Sequence, residues 1–219
     1  MSTDSLSLPR PWFQKHPSDQ PERFTRFRQT YPYLLEGLLK ERFQASEIRV
    51  SNLAMRASSL ASSYSHRNEL FSWMEADVAV LHKGVVDCWP RAQLDGQPHT
   101  TLKAFREAMT RLLEERERMA PTLPFIVIGI SPTNTATLAK EPKVAENIRA
   151  YNAVLSERVD ANMRYIDMEH ALTEAGEELL HPDGHHLTAG GQALLANRLR
   201  DAIIDLLGPD WADRDAAAP

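Results

Sequence analysis

Short apolar runs alternate along the chain with longer stretches in which apolar residues recur every three or four positions. The short runs are β-branched or nearly continuously apolar, which is typical of strands that are covered on both faces. Four of them predict strands: Glu47–Leu53, Asp77–His82, Pro124–Ile130 and Arg164–Met168. The longer stretches predict four helices: Tyr31–Phe43, Thr101–Met119, Val144–Val159 and Ala189–Leu207. Because the two patterns alternate, the sequence predicts an α/β fold with a parallel sheet flanked by helices.

The two ends of the chain carry less pattern than its middle. Residues 1–30 contain no strand-like run, and residues 9–24 are rich in proline, which predicts a loop. The last helix has a good N-cap residue in Thr188 and a stop signal in Gly208. We therefore predict one domain over residues 1–207 and a loose tail over residues 208–219.

Composition narrows the class of protein. The chain has 219 residues, is 42% hydrophobic and carries a formal charge of −5, which favours a folded domain and not a disordered chain. The mild acidity argues against a nucleic-acid partner, and no apolar run is long enough to span a membrane. The first residues lack the apolar core of a secretion signal, so we expect a cytoplasmic protein. The single cysteine, Cys88, excludes an internal disulfide, and we expect it to be a buried apolar residue.

The polar segment between the last two helical patterns is the first candidate for chemistry. In the run from His181 to Thr188, Asp183 and His186 lie three residues apart across a turn that contains Gly184. A carboxylate at this spacing can hold an imidazole in one tautomer, as a general base requires. Two other interpretations stay open at this point. The segment can be a polar turn that caps the last helix, or a metal site built from His181, Asp183, His185 and His186.

Further polar segments follow the predicted strands. Residues 51–59 lie at the end of the first strand and residues 82–91 at the end of the second. In an open parallel sheet, the loops after the strands form the ligand crevice. Ser5 lies in a polar segment at the start of the chain, next to Asp4.

Taken in order, these segments resemble the SGNH/GDSL hydrolases. The resemblance rests on Asp4-Ser5-Leu6, on a strand followed by Asn52 and Ala57, on Gly84 followed by Asp87, and on the block DGHHLT that contains Asp183 and His186. It runs from Asp4 to about Leu199. The family implies a three-layer α/β/α fold of flavodoxin-like architecture and ester hydrolysis by a serine nucleophile without a cofactor. Carried over by motif, it implies Ser5 as nucleophile, His186 as base and Asp183 as the residue that orients His186.

The sequence departs from the family pattern at the positions that stabilise an oxyanion. Thr3 replaces the glycine of the first block, and Ala57 stands where the second block has a glycine whose N–H serves the oxyanion hole. Val86 replaces the asparagine of the third block, which also carries Gly84 and Asp87. Loss of one such donor costs about 3–4 kcal/mol of transition-state stabilisation. The polar side chains that we consider as replacement donors are Arg10, Asn52, Arg56 and Arg91.

The first strand of the family is also missing from the pattern. Only four residues precede Ser5, which is too few for an ordinary strand of about five residues. We therefore expect either a start upstream of Met1 or a gap in the sheet that a helix or another segment fills.

The leading hypothesis is a cytoplasmic serine esterase that acts on a small-molecule or glycan ester, with the acyl group on a sugar or a lipid. The alternative is a non-catalytic relative that binds a glycan or a protein in the same crevice, which the departures favour. A weaker third hypothesis is a metal-dependent hydrolase that uses His181, Asp183 and His185. No oligomeric state is predicted.

Overall fold

Five parallel strands form the central sheet of the computed structural model, which describes residues 1–10, 25–43, 47–209 and 211. The strands are β1 (Ser2–Thr3), β2 (Leu53–Ala54), β3 (Ala79–His82), β6 (Phe125–Ile128) and β7 (Met163–Ile166). Their order across the sheet is β2-β1-β3-β6-β7. Every neighbouring pair is parallel, as predicted.

The expected gap in the sheet is wrong, because β1 occupies that position. Ser2 pairs with Leu53 on one side and with Leu81 on the other, and Thr3 pairs in the same way with Ala54 and His82. Two residues are enough here because both neighbouring strands supply hydrogen-bond partners. A strand this short has no sequence pattern of its own.

The predicted strand near residue 50 is also shorter than expected. Of the run Glu47–Leu53, only Leu53 pairs with β1, and the pairing continues to Ala54. The short neighbour explains this difference, since β1 offers only two residues to pair with. At the other end of the sheet, the run Arg164–Met168 overshoots, because Met168 already begins a helix.

The helices form a layer on each face of the sheet. They are α1 (Tyr31–Arg42), α2 (Leu60–Ser63), α3 (Val85–Cys88), α4 (Leu102–Met119), α5 (Thr135–Lys140), α6 (Lys143–Ser156), α7 (Met168–Ala175) and α8 (Ala189–Leu207). Alternate strand residues point to opposite faces, so Leu81 and Val127 pack with α4 and α6, whereas Val80 and Ile126 pack with α1 and α8. This is the predicted α/β/α arrangement.

The predicted helix ends agree closely with the structure. Thr101 caps α4 and Thr188 caps α8, each through its side-chain oxygen, and Gly208 ends α8 with a φ of +88°. The third helical pattern overshoots, because α6 ends at Ser156 and not at Val159. An antiparallel pair of β4 (Pro90–Arg91) and β5 (Gln97–Pro98) was not predicted.

Two predicted irregular segments fall largely outside the described residues. Residues 11–24 of the predicted loop, residue 210 and residues 212–219 of the predicted tail are among them. Trp211 is described, and its ring packs edge-on against Phe43 at 5.9 Å. The domain boundary at residue 207 stays a prediction. Within the described ranges, the structure has no helix that is both long enough and apolar enough to cross a membrane.

Candidate active site

Ser5 lies at the carboxyl edge of the sheet, directly after the central strand β1. Residues Ser5–Ser7 form one 3₁₀ turn, which is capped by the Asp4 carboxylate accepting a hydrogen bond from the Leu6 N–H at 2.9 Å. Ser5 is only 7% exposed. The short strand and its capped turn therefore hold the Ser5 hydroxyl at a fixed place in the crevice where ligands bind in such sheets.

The structure brings Ser5, His186 and Asp183 together from opposite ends of the chain. Ser5 Oγ lies 3.0 Å from His186 Nε2, and His186 Nδ1 lies 3.0 Å from Asp183 Oδ2. With a proton on Nδ1 donated to the carboxylate, Nε2 can act as the acceptor of the Ser5 hydroxyl proton. This arrangement has the geometry of a nucleophile, a base and an orienting acid.

Local hydrogen bonds fix the turn that carries Asp183 and His186. Asp183 Oδ1 accepts from the backbone N–H groups of His185 at 3.2 Å and His186 at 3.0 Å, and the His181 N–H donates to the His186 carbonyl at 2.7 Å. Burial by itself raises the pKa of Asp183, but the hydrogen bond from His186 and the charges of His185 and His186 outweigh it and hold the pKa well below its usual value. Asp183 is therefore ionised throughout the neutral range.

Arg10 contacts the same pair of residues. Its Nη2 lies 3.1 Å from Asp183 Oδ2, and its Nη1 lies 2.8 Å from His186 Nδ1 and 3.0 Å from Nε2. A guanidinium has only donors, so it cannot accept the Nδ1 proton that His186 shares with Asp183. Arg10 therefore lies against the imidazole as a cation that also pairs with the carboxylate, and its role as an oxyanion donor stays a prediction.

The histidines of this turn test the metal interpretation. The ligand atoms of Asp183, His185 and His186 lie within 4.8 Å of one another, and His181 Nδ1 is 3.2 Å from Asp183 Oδ2. Burial, with a smaller contribution from His186, lowers the pKa of His185 to about 4, which leaves it neutral as a ligand must be. However, the same Asp183 and His186 atoms make the contacts to Ser5 and to Arg10. A cation bound there would displace Arg10 from its carboxylate.

Ala57 has the backbone conformation expected of the glycine that it replaces. Its φ is +54°, in the left-handed region, and the residue is exposed at the end of the loop that follows β2. An L-residue adopts this conformation at a cost of about 1–2 kcal/mol. The loop thus keeps a glycine-like path, and Ala57 still provides a backbone N–H.

The third block serves mainly to hold the loop after β3 in place. Gly84 has a φ of +121°, and a Cβ there would lie 2.7 Å from Ile130 Cδ1, so both the conformation and the packing require glycine. The buried Asp87 carboxylate accepts from the Leu60 N–H at 2.8 Å and from the Thr100 hydroxyl at 2.6 Å. Both of its oxygens are therefore engaged within the protein, and a substrate-binding role of Asp87 stays a prediction.

The side chains considered as replacement donors have different surroundings. Asn52 bonds to the Thr3 hydroxyl at 2.7 Å and to the Ser7 hydroxyl at 3.0 Å, beneath the Ser5 turn. Arg91 donates to the Val86 carbonyl at 3.4 Å. Arg56 is exposed next to Ala57. None of the contacts described for Asn52 and Arg91 joins them to Ser5, so their roles as donors stay predictions.

Two buried charged residues close to Ser5 were not among the predicted site residues. Lys83 directly follows β3, is 3% exposed, and donates from Nζ to the Thr3 carbonyl at 2.6 Å and to the Ser58 hydroxyl. Asp4 is fully buried, and its Oδ2 has no hydrogen-bond partner among the described residues. Burial raises the pKa of Asp4 to about 7 and lowers the pKa of Lys83 to about 8. The available signal for Lys83 was a lysine placed directly after the apolar run of a central strand.

Two other buried residues, Asn152 and Cys88, have structural positions. Asn152 clamps the chain after β6, accepting from the Ile130 N–H at 2.7 Å and donating to the Ile130 carbonyl at 3.0 Å. Cys88 is buried, and burial raises the pKa of its thiol, as expected of an inert apolar residue.

Comparisons with known proteins agree with the family resemblance of the sequence. The profile of the GDSL-like Lipase/Acylhydrolase family matches residues 17–194, which include Asp183 and His186 but begin after Ser5. A search of curated proteins finds no significant match.

The fold is similar to that of several solved hydrolases. A lipase/acylhydrolase from Enterococcus faecalis is 21% identical, with a TM-score of 0.67 over 94% of this chain and 95% of that one. A psychrotrophic esterase from Pseudoalteromonas sp., inhibited by monoethylphosphonate, is 16% identical, with a TM-score of 0.61 over 94% and 95%. A catalytic serine-to-alanine mutant of an acetylxylan esterase from Geobacillus stearothermophilus is 16% identical, with a TM-score of 0.65 over 96% and 94%. The fold and the family match together show that this chain belongs to the GDSL-like lipase/acylhydrolase family.

Proposed function

We propose that the protein hydrolyses esters through Ser5, His186 and Asp183. The observation that carries this proposal is the unbroken chain of contacts from Ser5 Oγ to His186 Nε2 and from His186 Nδ1 to Asp183 Oδ2, each 3.0 Å long. Two of the three residues lie within the segment that matches the acylhydrolase family. Asp183 is held as a carboxylate, which favours a positive charge on the imidazole beside it.

The reaction has two halves. In the first, His186 Nε2 takes the Ser5 proton while Oγ attacks the acyl carbon, and the carbonyl oxygen becomes an oxyanion. When that intermediate collapses, the imidazolium gives its proton to the leaving alcohol oxygen and the acyl group stays on Ser5. In the second half, His186 takes a proton from water, the resulting hydroxide attacks the acyl carbon, and Ser5 recovers its proton as the acid leaves.

Backbone N–H groups are the proposed donors to the oxyanion. Ser5 and Ala57 supply two of them, and the loop at Gly84 supplies a third. Val86 offers no side-chain donor, so we expect small esters to be hydrolysed slowly, about 10²–10³-fold below an enzyme with a complete hole. A larger substrate recovers rate through remote contacts that stabilise the transition state.

The substrate class is inferred from the relatives. The neighbours include an acetylxylan esterase and a lipase/acylhydrolase, so an acyl group on a sugar or a lipid is the proposed substrate. The non-catalytic alternative loses part of its support, because the position of the first strand is filled by Ser2–Thr3 and Ala57 keeps its backbone donor. The cytoplasmic location stays a prediction.

Labelling with a fluorophosphonate tests the nucleophile directly. Intact-mass analysis after labelling should show one adduct, which peptide mapping places on Ser5, and Ser5→Ala and His186→Ala should abolish it. Ser156→Ala is the matched control, because the hydrogen bonds described for the Ser156 hydroxyl stay within its own helix. Aryl acetate hydrolysis should follow the same pattern. Equal hydrolysis by the wild type and His186→Ala, with no adduct on Ser5, would exclude this mechanism.

A further inference from the structure

Lys83 is a buried cation at the centre of the sheet edge that carries the site. It follows the last residue of β3, which lies between β1 and β6. Burying an ammonium group costs several kcal/mol unless its donors are satisfied and its charge is balanced. Packing alone does not explain why a buried lysine lies so close to the candidate nucleophile.

The hydrogen bonds of Lys83 join two separate segments of the site. One acceptor is the Thr3 carbonyl at 2.6 Å, two residues before Ser5, and the other is the Ser58 hydroxyl, in the residue after Ala57. Ser5 and Ala57 carry the two backbone N–H groups proposed to hold the oxyanion. A single ammonium therefore fixes the segments of both donors relative to each other.

The charges around Lys83 come from other elements. Asp4 follows β1 and Asp87 lies in α3, and both carboxylates act to keep the lysine protonated, against the effect of burial. His82, the preceding residue, is neutral because burial lowers its pKa to about 3. Lys83 therefore brings a buried positive charge close to the loop where Val86 replaces a donor side chain.

We propose that Lys83 is a positioning residue for ester hydrolysis, which sets the spacing of the Ser5 and Ala57 N–H groups by bridging Thr3 and Ser58. This inference rests on the proposed function. It assigns to Lys83 the work of ordering an oxyanion hole that lacks its usual asparagine. The competing explanation is that Lys83 only balances the charge of Asp4 and stabilises the fold.

Substitution by methionine separates the two explanations. Lys83→Met keeps the length of the side chain and removes the charge and the donors. We expect kcat for an aryl acetate to fall about 10–100-fold, less than for direct loss of an oxyanion donor, with KM changed less than about threefold. Lys83→Arg, which keeps the charge and the donors, should recover part of the loss.

Arg116→Met is the matched control. Arg116 is also a buried cation that donates to a backbone carbonyl, that of Leu123, but it lies in α4 away from the site. It should lower the melting temperature without changing kcat. If Lys83→Met fails to fold, Ser58→Ala removes one end of the bridge with little loss of packing and should still lower kcat. An unchanged kcat in Lys83→Met or Ser58→Ala, with only a loss of stability, overturns the proposal.

Two further readouts distinguish positioning from stability. The wild type should lose kcat above about pH 8 as Lys83 gives up its proton. Lys83→Met should lack this alkaline limb, and Lys83→Arg should move it to higher pH. Retention of the limb in Lys83→Met contradicts the proposal.

Amide hydrogen exchange measures the positions without using activity. Exchange at residues 3–6 and 55–59 should accelerate in Lys83→Met and stay unchanged in Arg116→Met. If the wild type shows no hydrolysis that depends on Ser5, the proposed function fails, and this exchange experiment alone decides whether Lys83 orders the two segments. Equal exchange in both variants overturns the proposal.

Discussion

Two groups of residues border Ser5: the turn that carries Asp183 and His186, and the buried cluster of Asp4, Lys83 and Asp87. The two groups shift the pKa of a carboxylate in opposite directions. Asp183 accepts hydrogen bonds from two backbone N–H groups and from an imidazole, and these hold its pKa low. Asp4 is completely buried with one oxygen unpartnered among the described residues, and burial raises its pKa to about 7.

The difference follows from where the partners come from. Apart from Arg10, the donors to Asp183 lie within three residues of it, so the turn forms most of its own hydrogen bonds wherever the fold places it. In the buried cluster, the hydrogen-bond partners of Lys83 are Thr3, 80 positions away in the chain, and Ser58, 25 positions away, and these segments meet only in the folded sheet. When neighbouring residues form a cluster, the turn itself supplies the hydrogen bonds of the carboxylate. A cluster assembled from distant segments can leave its charges incompletely balanced, and the rest of the fold must then offset that cost.

The largest expected effect comes from a substitution in the turn that carries Asp183 and His186. Asp183→Asn removes the negative charge that stabilises the imidazolium and disturbs the tautomer of His186. We expect kcat for an aryl acetate to fall roughly 10⁴-fold while the protein stays folded. The control is Asp201→Asn, an exposed carboxylate on α8, which should leave kcat unchanged. A fall of less than tenfold in Asp183→Asn would mean that Asp183 does not orient the base.

The buried cluster of Asp4, Lys83 and Asp87 should affect how the free energy of unfolding depends on pH. Between about pH 4 and pH 7, the unfolded chain has lost the Asp4 proton while the folded protein still holds it. The Asp4 contribution to the free energy of unfolding therefore decreases as pH rises through this window. Asp4→Asn lacks this titration but keeps an acceptor for the Leu6 N–H.

Urea unfolding at pH 5 and pH 8 measures this difference. From the lower to the higher pH, the stability of Asp4→Asn should improve relative to the wild type by about 1–3 kcal/mol. Asp201→Asn should run parallel to the wild type. Parallel behaviour of Asp4→Asn itself would show that Asp4 is already ionised in the folded protein at pH 5.

A smaller effect should follow from straining the local turn. Gly184 has a φ of +83°, and a Cβ there would lie 2.7 Å from Thr133 Oγ1 and closer still to Thr137 Oγ1. We expect Gly184→Ala to lower the free energy of unfolding by about 1–3 kcal/mol and to lower kcat as His186 shifts from Ser5. Gly96→Ala is the control, because Gly96 has a φ of +74° but open space around it. Equal losses in both variants would assign the whole effect to φ.

The smallest effect should come from relieving backbone strain at Ala57, near the buried cluster. Ala57→Gly removes the penalty of a left-handed alanine, and this gain exceeds the added entropy of the unfolded chain. The free energy of unfolding should rise by about 0.5–1 kcal/mol. Ala153→Gly, on the exposed side of α6, should instead lower it by about 1 kcal/mol. Chemical denaturation of the two variants side by side should show opposite signs, and a loss in both would contradict strain at Ala57.

The sequence by itself determined the features that depend on neighbouring residues. Apolar periodicity predicted the order of strands and helices, and Thr101, Thr188 and Gly208 marked helix ends that the structure shares. The spacing of Asp183 and His186 predicted their pairing, because the backbone of one turn brings residues three apart into contact. Each of these features draws its energy from groups within a few positions of one another.

Only the tertiary structure decided the features that depend on what packs nearby. Ser2–Thr3 becomes a central strand because β2 and β3 present hydrogen-bonding edges on both sides of it, and no pattern in two residues can predict this. Lys83 is buried because the ends of β1 and the loop after β2 close over it. The two-residue strand and the buried lysine depend on contacts with segments that are distant in the chain. A local sequence pattern cannot predict such contacts.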